Sequence, residues 1–371
     1  MKIVHLDTGR ELRGGQRQLL LLAEGLRRRG HEQVIVGAES SALEALARDA
    51  GFRVLALPAH DIGYVFGALL LKQFLAAEPY EVIHAHDGRG QTIAWIATLG
   101  TQVGRVASRR VTFLPGGLSA HLRLHRLKYT LTCHRVIAIS NYVRGLLVNS
   151  GVPGSRIEVV PDGIEVPSEL PGPKVRARAR AQWGLSDQDF VIGHAGAFTP
   201  EKGQDIAIEA MTVLKDRLPK ARLLLVGPVG VEGLRLLSPL LDRAGKIVRL
   251  LGYVDDLTEF FAALDLYIMP SRAEGLGSSA LLAMAHGLPV VASRVGGLPE
   301  VVEEGRTGWL VAPDAGGEVS DEALAEAIVA GASDRERLAA LGVQARERAR
   351  SFASDIMVTR TEALYQRLLA E

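Results

Sequence analysis

The sequence predicts an α/β protein of two doubly wound domains, each a mostly parallel sheet with helices on both faces. Three observations carry this expectation. Apolar runs of strand length alternate with helix-period segments along the whole chain, the pattern of parallel strands buried on both faces. These units are too many for one sheet. A proline- and glycine-rich stretch, PDGIEVPSELPGP, interrupts them near the middle, where a boundary is expected.

In chain order, MKIVHLD reads as the first strand, followed by the helix-period segment QRQLLLLAEGLRRRG and a second strand, EQVIVGA. FRVLALP, EVIHAH, GRVASRR and RVIAIS continue the first half. After the break, the basic RARAR run reads as a solvated linker helix. FVIGHAG, ARLLLVG, IVRLLGY, LDLYIMP and LPVVAS then supply the strands of the second half. The last segment, FASDIMVTRTEALYQRLLA, has an amphipathic helix pattern whose partner periodicity alone does not identify.

Composition narrows the function. With 371 residues, 47% hydrophobic and 23% charged, the chain is globular and long enough to bury its core without disulfides or a structural metal. One cysteine, Cys133, excludes a disulfide framework and a cysteine-based zinc site. The start lacks a signal-peptide core, and no uncharged apolar stretch reaches membrane-spanning length, so a soluble, cytoplasmic protein is expected. The net charge of +1 argues against a nucleic-acid binder. That balance is uneven: residues 1–165 carry 20 Lys+Arg against 14 Asp+Glu, whereas the remainder carries 23 against 28. A positive first half suits an acidic partner.

Ligands of open α/β sheets bind at the carboxyl ends of strands, so the loops there hold the candidates. Gly14 and Gly15 precede a helix expected to start near Gln16, where backbone amides and the helix N-terminus favour an anion. In GHAGAFTPEKG, Gly196 opens a loop that carries Lys202, a cation suited to phosphate. The densest signal is PSRAEGLGSSALLAMAHGLPVVASRVGGLPE. There Glu274 stands beside the amides of Gly275, Leu276, Gly277 and Ser278, and a second glycine loop, Gly296–Gly297, ends in Glu300.

With RGGQRQLLLLAEGLRRRGHE, VIHAHD, VIAISNYVRGLLVNSGVPGSRIEVVPDGIE and GAFTPEKG, these motifs resemble the retaining GT-B glycosyltransferases, often called group one, over nearly the whole chain. The resemblance implies two Rossmann-like domains facing across a cleft. Residues 1–168 plus 355–371 would form the acceptor-binding domain and 169–354 the nucleotide-sugar donor domain. The final helix would cross back to the first domain. The resemblance also implies transfer of a sugar from a nucleotide-diphosphate donor to a hydroxyl of a glycan or lipid-linked acceptor, with no metal or other cofactor. His86, Glu274 and Lys202 would be catalytic. Gly14, Gly15, Gly196, Lys202 and the Glu274–Ser278 stretch would bind the donor.

Two positions depart from the family pattern. Leu282 stands where the second glutamate of the paired motif would grip the ribose hydroxyls, and Ala197 stands where an arginine commonly precedes the lysine loop. The one Asp-x-Asp, Asp187–Asp189, precedes a strand and so lies on the wrong edge for the ligand. His121, His125 and His134 lack a carboxylate or cysteine to complete a metal site.

Rival readings are a non-catalytic nucleotide-sugar or carbohydrate binding protein, kept open by Leu282, and a nucleotide-sugar epimerase on the same architecture. A dehydrogenase ranks below both because GPVGVEG lacks the dinucleotide fingerprint. Arg109, Arg110, Arg123, Arg126, Lys128 and Arg135 interleave with Leu118, Leu122, Leu124, Leu127 and Leu131. This basic, leucine-lined segment suits an anionic lipid-linked or lipopolysaccharide-type acceptor, or the inner membrane surface itself.

Overall fold

The computed structural model describes residues 1–58, 63–112, 124–254 and 256–371. The chain forms two compact units, Met1–Gly163 with Ser354–Glu371, and Ile164–Ala353. The first is built on β1 (Lys2–Asp7), β2 (Glu32–Ala38), β3 (Arg53–Leu57), β4 (Val82–Ala85), β5 (Gly104–Arg109), β6 (Arg135–Ala138) and β7 (Ile157–Val159). These lie in the order β3-β2-β1-β4-β5-β6-β7. All pairs are parallel. The second uses β8 (Phe190–Ala195), β9 (Ala221–Val226), β10 (Val248–Gly252), β11 (Leu266–Met269), β12 (Val290–Ser293) and β13 (Gly308–Val311). Their order is β10-β9-β8-β11-β12-β13. The chain direction across the sheet therefore reverses between β1 and β4 and between β8 and β11, the crevices where such sheets bind ligands.

The near-continuous apolar strands are explained by burial on both faces. In the first unit Ile3, Leu22, Leu26 and Val82 pack with Val358 and Tyr365 of the terminal helix Ser354–Ala370, so that helix caps the first unit's core. Gly25 makes the approach possible, because a Cβ there would stand 2.4 Å from Val358 Cγ2. Arg29 and His31 then clamp Glu362 at 2.6 and 2.7 Å. In the second unit Ile192, Leu223, Leu225, Ile268 and Val291 form the sheet's share of one core, closed by Ile208, Met211 and Leu214 of the helix Gln204–Leu214. Each such side chain contributes about 1.5–3 kcal/mol on burial.

The break between units falls at Gly163–Ile164 rather than at residue 168. Gln18 holds Gly163 from both sides, accepting from its N–H at 2.9 Å and donating to its carbonyl at 2.8 Å. Ile164 N–H already donates to Phe352 O. The RARAR run is not a solvated linker. It forms the helix Pro173–Gln182, in which Arg176 and Arg180 donate to the two oxygens of Asp265 at 2.7 and 2.8 Å. Arg180 is buried, so burial of the pair ties this helix to the second sheet. No helix among the described residues is long and apolar enough to cross a membrane.

Candidate functional site

In the first unit the loop after β1 is held by Asp7, which accepts from Gly9 N–H at 2.8 Å and Gln16 Nε2 at 2.7 Å. Gln16 Oε1 in turn accepts from Arg13 N–H at 3.0 Å, fixing the start of the helix Gly14–Arg28. Burial, then the nearby Asp87 carboxylate, push the Asp7 carboxyl above its ordinary range. The helix begins at Gly14, two residues before the expected Gln16. Neither Gly14 nor Gly15 has a positive φ. A Cβ at Gly14 would meet nothing within 4 Å, and one at Gly15 only Arg110 Cδ at 3.9 Å. Neither backbone handedness nor packing demands glycine there, and the helix N-terminus stays open to close approach by an anion.

His86 follows β4 and is buried. Its surroundings fix its tautomer. Gln33 Nε2 donates to Ala23 O at 2.9 Å, so Gln33 Oε1 faces His5 Nε2 at 2.9 Å and accepts from it. His5 Nδ1 is then unprotonated and accepts from His86 Nε2 at 3.1 Å. His86 Nδ1 is left as the acceptor for Arg110, which can only donate, at 3.4 Å. Arg110 is anchored by Asp162 at 3.0 Å. A one-way chain of hydrogen bonds thus runs from Arg110, which Asp162 anchors, through His86 and His5 to Gln33. His84 bonds Tyr365 at 2.6 Å and Ser108 at 2.8 Å. Burial, then neighbouring positive or imidazole groups, hold His84 and His86 well below the ordinary histidine range, and burial brings His5 to about 4.

The ring nitrogens of His5, His84 and His86 lie within 4.8 Å of one another, close enough for a transition metal to be considered. Their hydrogen-bond partners already occupy that donor set, and the Arg110 guanidinium disfavours a second cation beside it. The cluster is a polar network. Sequence reasoning singled out His86 alone. His5 and His84 are register partners on β1 and β4, and the period-2 alternation of HAH, which places His84 and His86 on one face, was the available signal.

Arg110, grouped by sequence with the surface cations, is instead mostly buried, with 13% of its side chain exposed. Arg109 Nε donates to Val111 O, Lys128 Nζ to Gly88 O at 3.0 Å, and Arg126 is exposed. Leu127 and Leu131 are exposed on the helix Leu124–Thr132. Arg123, Leu118, Leu122 and His121 lie outside the described residues, as do the side chains of Leu124 and His125. Arg135 forms an ion pair with Glu371, and His134 contacts Arg105.

In the second unit the loops after β8 and β11 come together. Lys202 ends the short 3-10 turn Pro200–Lys202 and donates to Glu274 Oε2 at 2.6 Å. Gly203 (φ +70°) lets this loop lie on β11, since a Cβ there would stand 2.0 Å from Pro270 O. Gly196 lies beside the Lys202 stem, a Cβ on it being 3.8 Å from Lys202 Cδ. Glu274, Gly275, buried Leu276 and Gly277 lead into the helix Ser278–Ala285, whose half-exposed face presents Ser278, Ser279 and Leu282. Leu282 is therefore placed on the open side of that helix, one turn beyond Ser278. The Gly296–Gly297 loop, expected to be a second ligand loop, instead buttresses the first. A Cβ at Gly296 would stand 1.9 Å from Glu274 O, and Gly297 N–H donates to that oxygen at 3.0 Å. Asp189 accepts from Ser186 N–H and Oγ and pairs with Arg222, so the Asp-x-Asp serves a turn.

Comparison with known proteins follows this division. Residues 12–166 match the model described as Glycosyltransferase Family 4, and residues 189–334 match Glycosyl transferases group 1. The D-inositol 3-phosphate glycosyltransferase of Gordonia bronchialis is 30% identical over 341 residues, 84% of this chain and 71% of that protein. The GDP-mannose-dependent alpha-(1-6)-phosphatidylinositol monomannoside mannosyltransferase of Mycolicibacterium smegmatis is 35% identical over 221 residues, 57% of this chain and 56% of its own. The matched region thus spans little more than half the length of that relative. Among solved structures, Anabaena HepE in complex with UDP and glucose superposes with a TM-score of 0.85 at 25% identity, covering 98% of each chain.

Proposed function

Because the chain belongs to the group 1 glycosyltransferases and has their two-domain GT-B fold, we propose that it transfers a hexosyl group from a nucleoside-diphosphate sugar to a hydroxyl of a glycan or lipid-linked acceptor. The observation that carries this reading is the Lys202–Glu274 pair at 2.6 Å, set between the Gly196 loop and the start of the helix Ser278–Ala285. A cation, an open glycine and a helix N-terminus make an anion site for the diphosphate. Glu274 is then freed to stabilise positive character on the sugar. The anomeric C–O bond breaks with its electrons on the diphosphate. The acceptor oxygen bonds to the same face, and its proton passes to the departing phosphate oxygen, so configuration is retained. Lys202 and the helix amides offset the leaving-group charge without a metal. His86, locked as a neutral ring, orients Arg110 toward an anionic sugar or acceptor.

Curated relatives that act on phosphatidylinositol mannoside or inositol phosphate support an anionic acceptor. The exposed Val65, Phe66, Leu69 and Leu70 on the helix Gly63–Ala77 support a lipid-bearing one, as do exposed Arg126 and Leu127 in the same unit. The donor is tested with UDP-glucose and GDP-mannose, in chelator, with NMR assignment of the product anomer. Inversion, or a strict need for a divalent ion, removes the corresponding part of the proposal. Sedimentation with vesicles containing anionic lipid at low salt tests the membrane surface, and absence of lipid-dependent binding removes it.

A further inference from the structure

His194, at the end of β8, is fully buried, and its Nδ1 lies 3.0 Å from Ile268 O. A carbonyl can only accept, so Nδ1 carries the proton and Nε2 presents a lone pair. That Nε2 has no hydrogen-bond partner among the described residues, an arrangement a buried polar atom seldom tolerates without a ligand or water. A Cβ built on Gly196 would stand 3.5 Å from His194 Nε2 and 3.8 Å from Lys202 Cγ and Cδ. Because position 196 is glycine, one atom's worth of space stays open between the imidazole and the lysine stem. Ser271 Oγ and Ser293 Oγ, just beyond or at the ends of β11 and β12, are likewise buried and unpartnered. These three unmatched polar atoms thus lie at the carboxyl ends of adjacent strands, starting at the β8–β11 crevice, while the others among the described residues, on His286, Arg346 and Arg348, lie elsewhere.

We propose that His194 is a ligand of the donor diphosphate: as the anion binds, Nε2 takes a proton from solvent, keeps it, and donates a hydrogen bond to a phosphate oxygen. This rests on the donor assignment made for the second unit above. A neutral ring with its lone pair facing the site would repel a phosphate oxygen, whereas the imidazolium, still held by Ile268 O, adds a second cation beside Lys202. The groups facing the ring are few. Lys202 opposes protonation from the loop, and Glu274 sits behind it as the lysine's partner. Tyr267 stacks on the ring at 6.3 Å with its hydroxyl committed to Ala195 N–H and O. Burial first, then Lys202, hold the free ring at about 4. An anion at that position reverses the balance.

The test is calorimetry with UDP-glucose and GDP-mannose, whose phosphates do not titrate near neutral pH. It is run at about pH 6 in two non-phosphate buffers of unlike ionisation enthalpy. Uptake of about half a proton or more is expected in the wild type and in Glu274→Gln, and none in His194→Gln. Buffer-independent heats in the wild type, or equal uptake in His194→Gln, overturn the proposal while leaving the donor assignment standing. If neither nucleotide sugar binds, the donor assignment fails and His194 falls with it. Should His194→Gln not fold, affinity in the wild type and in Glu274→Gln should rise toward about tenfold per unit as pH falls from 7 to 5. A flat profile overturns the proposal equally.

Discussion

Lys202 and Glu274, 72 positions apart, meet at 2.6 Å with 28% and 12% of their side chains exposed. In the absence of donor each neutralises the other. On the proposed function, binding a diphosphate would exchange one partner of Lys202 for another and leave Glu274 available for the sugar.

Replacing either residue by alanine should lower transfer by ~2–4 kcal/mol of transition-state stabilisation, by analogy with removal of one preorganised donor. A partly exposed pair contributes about 1 kcal/mol or less to stability, so both variants should unfold close to the wild-type midpoint. Steady-state kinetics with denaturant titration separates the two effects. Near-normal turnover in both variants would sink the assignment.

Leu282 lies on the half-exposed face of its helix with Ser278 and Ser279, so a carboxylate placed there would face outward. Leu282→Glu should tighten nucleotide-diphosphate binding by about tenfold or more, equivalent to 1.4 kcal/mol, because each charge-assisted bond to a ribose hydroxyl is worth ~1.5–3 kcal/mol. Calorimetry decides. Unchanged or weaker binding means that other groups hold the ribose in this protein.

Six strands of the first sheet, five of the second and the loops carrying Lys202 and Glu274 were legible in the sequence, since parallel strands and glycine loops leave local patterns, whereas β7, β13 and the strand order were not. What was illegible depended on tertiary partners. RARAR reads as solvated because nothing local announces that Asp265 waits for Arg176 and Arg180. Gly296 and Gly297 look like a phosphate loop, yet their lack of side chains serves contact with the Glu274–Gly275 backbone. Arg110 belongs to a basic cluster in sequence but turns inward to Asp162. His194 sits inside an ordinary strand pattern, and nothing local announces that its second nitrogen lies unpartnered beside Gly196.

Cys133 is buried, donates to Tyr129 O, and is pushed up to about 12 by that burial. A thiol so placed is almost wholly protonated at neutral pH and shielded from reagents. Iodoacetamide should therefore leave the native protein unlabelled and modify it once in denaturant, as read by intact mass. Rapid labelling without denaturant would contradict the burial of Cys133 at the end of the helix Leu124–Thr132.

The histidine network sets the acid limit of stability. His5 is fully buried and lowered to about 4 in the folded protein, with His84 and His86 lowered well below 6.5 as well. Unfolded, each regains a value near 6.5. Between about pH 4 and 6.5 the unfolded chain therefore binds more protons than the folded one, and stability rises with pH across that window. The contribution is complete above about 6.5 and is lost as pH falls toward 4. For His5 alone the shift amounts to on the order of 3 kcal/mol, enough to dominate the acid side before most carboxylates titrate. Denaturant midpoints measured from pH 7.5 down to 4.5 should fall steadily below 6.5. The decline should be shallower in His5→Gln, which keeps an amide beside Gln33 and His86 but cannot titrate. A flat profile in the wild type, or an identical slope in His5→Gln, would mean that the ring accepts a proton in the folded state and that the one-way chain from Arg110 to Gln33 is not the resting arrangement.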